Sequence, residues 1–259
     1  MTYIDTHAHL YADQFNEDRD EMIQRAINAG VKKLFLPNID YKSIAGMEGL
    51  VEKYPGVCYS MMGLHPCDVT QSWKEQLVAI KQHFKRGHHI AIGEIGIDLY
   101  WDKSLQKEQT AAFAAQIEWA KEEQLPIVIH ARDSFDEIFE VVDQYNDAQL
   151  NGVFHCFTGN LQQAQKIMSY GGFKMGVGGV VTFKNSGLKA VLKEVPLSYL
   201  VLETDAPYLS PSPYRGKRNE SSYIPLIAET LSSVYQIDEE EIGRITTENA
   251  LSLFKHIER

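Results

Sequence analysis

Six side chains of metal-binding type stand at equivalent places in this sequence: His7, His9, Glu94, His130, His155 and Asp205 each sit at the end of a short apolar run. Imidazole nitrogens and carboxylate oxygens together suit cations that polarise a substrate oxygen and acidify water, so the set predicts a metal-dependent hydrolase. His7-Ala8-His9 carries local information as well. Residues two apart in an extended chain project to the same side, so both imidazoles can reach one cation. Glu94 follows apolar Ile90-Ala91-Ile92-Gly93, where an unpaired carboxylate would be costly to bury; it either meets a cation or turns to solvent. Its two oxygens can serve two metals, and a bridging role is assigned to it. Asp205, in Glu203-Thr204-Asp205-Ala206-Pro207, can ligate through one oxygen and take a proton from water with the other, which makes it the candidate general base beside Glu94.

Further residues are placed to support this centre. Asp5 and Glu203 are candidate acceptors for the outer ring N–H of a ligating histidine, Glu203 for His7 or His9; a buried structural carboxylate is the other reading of Asp5. Asp98 has a supporting or substrate-contacting role, and Tyr100 reads as a loop residue. His65, in Gly-Leu-His-Pro at 63–66, is cast as a donor to substrate phosphate. Arg132 is placed to grip phosphate with two N–H groups or else to pair with Asp136, and Lys184 and Lys217 are candidate phosphate contacts or solvated loop lysines. Cys156 reads as a buried apolar residue facing away from His155, while His83, His88, His89 and His256 read as surface histidines.

These residues need a scaffold that gathers distant parts of the chain. Unbroken apolar runs near 3–7, 33–36, 57–63, 90–93, 127–130, 153–156, 173–177 and 199–203 read as strands buried on both faces. Amphipathic stretches separate them, such as the one after Leu105 with Phe113, Ile117 and Ala120 at helical spacing; Asp238 and Glu241 stand in capping-box spacing before the last. Eight β-α repeats without a composition break predict one α/β domain over residues 1–259, a single (β/α)8 TIM barrel. An open doubly wound sheet, the other arrangement of such repeats, would leave the candidate ligands too far apart to share a centre. One segment stands out in composition: the loop at 210–219, rich in Pro and Ser, carries Arg215, Lys217 and Arg218.

Bulk properties set limits. With 44% hydrophobic residues the chain can bury a large core, and a net charge of −10 excludes a broad basic surface that coats duplex nucleic acid, although a local metal-lined site stays compatible. The three cysteines form no C-x-x-C pair and suggest a reducing compartment. Without a signal-like start or a membrane-length apolar run, the sequence reads as cytoplasmic, with no membrane association and no obligate protein partner.

Asp-Thr-His-Ala-His at 5–9, Gly-Leu-His-Pro at 63–66, Gly-Glu-Ile-Gly-Ile-Asp at 93–98, His130 with Arg132, His-Cys-Phe-Thr-Gly at 155–159 and Glu-Thr-Asp-Ala-Pro at 203–207 occur in an order that resembles the TatD-type metal-dependent deoxyribonucleases over almost the whole chain. The resemblance implies a TIM barrel with one cation on His7, His9, Glu94 and Asp205 and a second on Glu94, His130 and His155. It also implies Mg²⁺- or Zn²⁺-supported hydrolysis of DNA, often exonucleolytic and on single strands. Where the family usually has Arg-Asn-Glu-Pro after the last strand, this chain has Arg218-Asn219-Glu220-Ser221. Ligand chemistry favours Zn²⁺ or Mn²⁺ over Mg²⁺, because magnesium prefers an oxygen shell.

The reading is therefore a dinuclear phosphodiesterase, its cations about 4 Å apart, acting on single-stranded or abasic DNA. Two rivals remain: an amidohydrolase or small-phosphoester hydrolase on the same scaffold, and a metal-stabilised binding protein without turnover. Many amidohydrolase relatives carry a carboxylated lysine where Glu94 stands.

Overall fold

Runs that are apolar on both sides pair in parallel and demand helices on their outer face, and the chain alternates accordingly. The computed structural model describes residues 1–255 and 257. In order they form β1 (Tyr3–Asp5), α1 (Arg19–Asn28), β2 (Val31–Pro37), α2 (Ile44–Lys53), β3 (Cys58–Met62), α3 (Trp73–Phe84), β4 (His89–Asp98) and α4 (Gln106–Glu123). There follow β5 (Ile127–Arg132), α5 (Phe135–Tyr145), β6 (Gly152–Phe154), α6 (Leu161–Ser169), β7 (Phe173–Val177), α7 (Leu188–Leu192), β8 (Leu200–Leu202), α8 (Ile224–Tyr235) and α9 (Glu239–Leu253). Each strand pairs in parallel with the next, in the order β1 to β8. The first and last meet through a parallel bridge between Ala8 and Ala206, which makes the sheet a (β/α)8 barrel.

Two apolar layers follow from strand alternation. Ile127 and Ile129 join the large core between strands and helices, whereas Val128 packs with Ile4, Phe35, Met61, Val153 and Val201 in a second cluster. Leu253 and Phe254, at the end of α9, belong to this second cluster, and the Phe254 ring meets Phe35 at 4.8 Å. By the same alternation, His130 lies one inward step beyond Val128. The barrel interior is thus apolar at one end and carries the polar centre at the other.

Some elements differ from the sequence reading. β4 runs on to Asp98, so Glu94 lies within a strand and not at its end; Ile95 and Ile97 continue the outward apolar face. Asp238 begins α9 without a side-chain cap bond: the Glu241 N–H donates to the Asp238 carbonyl at 3.0 Å, and the Glu241 side chain pairs with Arg244 at 2.6 Å. A capping box does form at Asn160 and Gln163, starting α6. His89 is buried, its Nδ1 2.8 Å from Ser60 Oγ and its ring stacked on Phe84. His83 lies on α3, 3.2 Å from the Tyr41 hydroxyl, His88 is exposed, and His256 falls outside the described residues. Among the described residues no helix is long and apolar enough to cross a membrane.

Gly96 tests the packing between β4 and β5. Its φ is +145°, and a Cβ there would lie 2.0 Å from the carbonyl oxygen of His130. Backbone cannot yield as a side-chain tip can, so Gly96→Ala should cost roughly 1–3 kcal/mol or more. The melting temperature should fall by about 5 °C or more; an unchanged thermal transition would contradict this account.

Candidate metal centre

Glu94, 2% exposed, is the hub on which the candidate ligands converge. Its Oε2 lies 3.1 Å from His7 Nε2 and 3.4 Å from His9 Nε2. Its Oε1 lies 2.8 Å from His130 Nδ1, 3.1 Å from His155 Nε2 and 3.4 Å from His65 Nε2. Asp205 Oδ1 approaches His7 Nε2 to 3.8 Å and His9 Nε2 to 3.6 Å, and those two nitrogens are 3.3 Å apart. Ligands at about 2.0–2.1 Å from a tetrahedral zinc are separated by roughly 3.4 Å. The group around Oε2 has that spacing, and its inward-facing nitrogens and oxygens fit a divalent cation.

The seam where the barrel closes supplies three of these residues. Thr6 N–H donates to Leu202 O, Asp205 N–H to His7 O and His9 N–H to Ala206 O, at 3.0, 2.8 and 2.7 Å. Asp5 pins the same seam: its carboxylate accepts from the Thr204 hydroxyl at 2.6 Å and from the backbone N–H groups of Thr204 and His7 at 2.9 and 3.3 Å. It therefore holds backbone and not an imidazole, and burial pushes its pKa up to about 7 against those donors. Glu203 also serves a different histidine from the one its position suggests. Its Oε1 faces His155 Nδ1 at 3.2 Å and accepts from Cys156 N–H at 2.5 Å, with His7 adjacent. Gly176 makes room for it, since a Cβ there would lie 2.0 Å from Glu203 Oε2. Asp98 Oδ2 accepts from His130 Nε2 at 2.9 Å.

Left-handed backbone accumulates on this rim. Asp133, Cys156, Asp205 and Leu209 have φ between 47° and 58°, all in the connections after β5, β6 and β8. The conformation is costly for residues with a Cβ, and it re-aims side chains where strands give way to loops. Cys156 shows the effect. β6 ends at Phe154, alternation lapses, and Cys156 is half-buried in the cavity lining with His155 instead of facing away.

Hydrogen bonds behind the imidazoles sort them into two kinds. The Tyr11 hydroxyl donates to Pro37 O at 2.6 Å, so it accepts from His9 Nδ1 at 3.0 Å, leaving the Nε2 lone pair for the centre. His155 and His130 are oriented likewise by Glu203 and Asp98. His65 is the reverse: its Nδ1 accepts from Cys67 N–H at 3.1 Å, so in the neutral ring Nε2 carries the proton and faces Glu94 as a donor. Geometric closeness groups His65 with Glu94 and His130, but its tautomer suits hydrogen bonding better than ligation.

Burial opposes charge throughout, and the carboxylates decide the outcome. Although burial acts against it, His155 is held protonated well above the usual range by Glu94 and Glu203. His130 is raised by Asp98 and Glu94 against the same penalty. Glu94 stays well below the usual carboxylate range despite burial, because His155, His65 and His7 face it. Burial and the neighbouring His155 push His7 down. Burial lifts Asp205 to about 6, with His155 and His9 working against the rise.

The centre opens into a cavity of about 800 Å³ lined by His65, Cys67, Trp101, Arg132, Tyr208 and Leu209 among others. Arg132 makes no pair with Asp136; its guanidinium lies 3.8 Å from the centroid of Tyr100, which is therefore more than a loop residue. Lys184 and Lys217 are exposed and outside this lining. The cations of the 210–219 loop turn to structural work: Arg215 packs on Phe183, Lys217 on Tyr214, and Arg218 pairs with Asp18 at 2.6 Å. Asn219, buried, donates to Thr204 O and Tyr208 O, and Glu220 pairs with Arg25 at 2.7 Å. Ser221 opens a short 3-10 helix where the family pattern has proline. Sequence reasoning passed over Tyr11, Thr204, Trp101 and Tyr208; only Tyr11 carried a signal, extending the 7, 9 alternation by one step.

Fold and donor cage together define a metal-dependent hydrolase on a (β/α)8 barrel. The chain belongs to the TatD family: the family pattern described as TatD related DNase matches residues 4–255. It is 40% identical to the uncharacterized metal-dependent hydrolase YabD of Bacillus subtilis, over 97% of this chain and 98% of that one. It is 34% identical to the 3'-5' ssDNA/RNA exonuclease TatD of Salmonella typhimurium, over 97% and 98%. The crystal structure of YJJV, a TatD homolog from Escherichia coli, superposes with a TM-score of 0.90 at 30% identity, covering 98% of each chain.

Glu203 gives the test of this geometry. Acceptors behind metal-bound histidines typically tune affinity 10–100-fold, so Glu203→Gln should weaken zinc binding by about that factor while retaining the circular dichroism of the wild type. Raised pKa values on His155 and His130 mean that protons compete more strongly than usual for the nitrogens a cation needs. Metal uptake should release protons, and affinity should rise with pH by up to about tenfold per unit for each proton displaced. Competition titration against a chromogenic chelator at several pH values measures both; affinity indifferent to pH and to Glu203→Gln would refute the assignment.

Proposed function

We propose that this protein hydrolyses phosphodiester bonds of single-stranded DNA, at chain ends or at distorted and abasic sites, using a dinuclear metal centre. The observation that carries the proposal is the division of Glu94: each carboxylate oxygen faces its own set of imidazoles, and Asp205 stands beside one set. His7, His9, Glu94 and Asp205 would hold one cation, and Glu94, His130 and His155 the other. The predominance of imidazole favours Zn²⁺ or Mn²⁺. Cations bound there supply Lewis-acid stabilisation of phosphoryl oxygens and lower the pKa of water. A relative named as a 3'-5' ssDNA/RNA exonuclease, aligned over nearly the whole chain, supports the substrate class. Free cysteines fit a reducing cytoplasm.

Asp205 is the proton acceptor in this mechanism. Burial makes its carboxylate more basic than an ordinary aspartate against the pull of His155 and His9, and the oxygen turned away from those imidazoles would take the proton of water. His65, with Nε2–H aimed into the site, donates to a phosphate oxygen or to the departing one. Among the described residues Arg132 is the one permanently cationic side chain in the cavity lining, so it orients the strand through a phosphate. With so few cationic contacts, binding should fall only gently with added salt.

Asp205→Asn should lower kcat on a single-stranded oligonucleotide by roughly 100-fold or more, with circular dichroism unchanged because the residue lies on the rim. Glu94→Gln should deplete both cations, as counted by elemental analysis. Full metal occupancy in both Glu94→Gln and His155→Ala would exclude a shared centre. A wild-type preference for amides or lactones over every phosphodiester would move the protein to another hydrolase class.

A further inference from the structure

Single exposed apolar side chains are ordinary, but contiguous ones mark contact surfaces, and here several cluster. Seven are exposed among the described residues: Met1, Tyr41, Val78, Tyr100, Trp101, Tyr208 and Leu209. The last four lie on two adjoining cavities, one of which holds the candidate metal centre. Trp101, 70% exposed, Tyr208, 48%, and Leu209, 42%, line the cavity of about 800 Å³, and Tyr100, 53%, lines a groove of about 790 Å³ joined to it at Ala131, Arg132 and Thr158. Tyr208 stands edge-on to His9 at 6.1 Å, so the apolar wall reaches the candidate ligands.

The Tyr100–Trp101 pair is held in place rather than loosely displayed. Asp98 Oδ1 accepts the backbone N–H of Tyr100 at 3.0 Å and of Trp101 at 3.2 Å, while its Oδ2 accepts from His130 Nε2. One carboxylate thereby fixes an imidazole of the centre and the aromatic pair relative to each other. Arg132 lies 3.8 Å from the Tyr100 centroid and 5.2 Å from that of Trp101, and the two rings meet edge-on at 4.9 Å. A flat aromatic face beside a phosphate-binding cation suits a nucleotide whose base is unpaired, because duplex bases keep their faces covered.

Resting on the nuclease reading above, we propose that Trp101, steadied by Tyr100, Arg132 and Asp98, is the stacking platform for an unpaired base next to the cleaved phosphodiester, with Tyr208 and Leu209 as the opposite wall. Selectivity for unstacked strands then comes from aromatic contact, which any base satisfies, and not from a basic surface.

The test pairs two substrates and two variants. On a single-stranded thymidine oligonucleotide with the metal-loaded enzyme, Trp101→Ala should lower kcat/KM by roughly 10- to 100-fold, and Trp101→Phe should recover most of it. On a strand of equal length built from base-free deoxyribose units, the loss should be at least about tenfold smaller. Equal losses on the two strands, or no loss on the thymidine strand, would overturn the platform. Binding is read separately from turnover: the oligonucleotide should quench tryptophan fluorescence in the wild type and not in Trp101→Phe. Quenching confined to Trp101 without phosphodiester cleavage would uphold the platform and reject the nuclease reading; cleavage with neither base dependence nor quenching would do the opposite.

Discussion

A carboxylate buried inside a barrel of apolar strands is the constraint around which this molecule is arranged. Glu94 cannot be left unpaired in a barrel whose interior is otherwise lined by Ile4, Phe35, Ile90 and Val128, since an uncompensated buried charge costs several kcal/mol. The fold answers by bringing imidazoles from four other segments within hydrogen-bonding reach of its two oxygens. Only a closed barrel does this, because in an open sheet the β1 and β5 ends would stand several strands apart. The closing seam is accordingly well bonded at the level of the site, where Asp5, Thr204 and the backbone of His7, His9 and Asp205 join the first strand to the last.

Around that hub the supporting hydrogen bonds do more than hold rings in place. Tyr11, Asp98 and Glu203 each take the outer N–H of an imidazole, committing the inner nitrogen to the centre. Cys67 N–H does the opposite to His65, committing its inner nitrogen to donate. Four neighbouring histidines of identical chemistry, His9, His65, His130 and His155, thus acquire unlike roles from what stands behind them. The same carboxylates keep His155 and His130 charged when a proton occupies the position a cation would take, so protons and metal compete for one set of lone pairs.

How far the sequence revealed this depends on the range of the interaction. Strands were legible because burial on both faces leaves unbroken apolar runs, and the candidate ligands because each interrupts or ends such a run with a group that is costly to bury. Glu94 was misplaced to a strand end, since a glutamate pointing into a barrel looks in sequence like a terminator, while Ile95 and Ile97 continue the outer face. Pairings across the chain were not legible. That Asp5 would hold Thr204 depends on how β1 meets β8, and that Glu203 would hold His155 depends on reach from the end of β8 across β7 to the end of β6; no local pattern encodes either. His89 reads in sequence as a surface histidine, but it is buried, and its partners Ser60 and Phe84 lie on a neighbouring strand and helix.

The loop after β8 shows why charge counted along a sequence misleads about charge at a site. Arg215, Lys217 and Arg218 stand close to the rim in sequence, yet Arg218 joins Asp18, Arg25 and Glu220 in an ion network, and the other two lie over Phe183 and Tyr214. Part of the network is exposed to water, where single pairs contribute at most about 1 kcal/mol. Its worth lies in geometry: it fastens the loop whose Asn219 holds the carbonyls of Thr204 and Tyr208, on either side of Asp205. Cationic side chains spent in this way are not available to a polyanion. If the substrate is a phosphate chain, its recognition by a molecule of net charge −10 would fall to Arg132, to whatever cations the imidazoles hold, and to the aromatic faces beside them. On the nuclease reading, that division of labour would let a barrel of net negative charge accept nucleic acid at one small mouth.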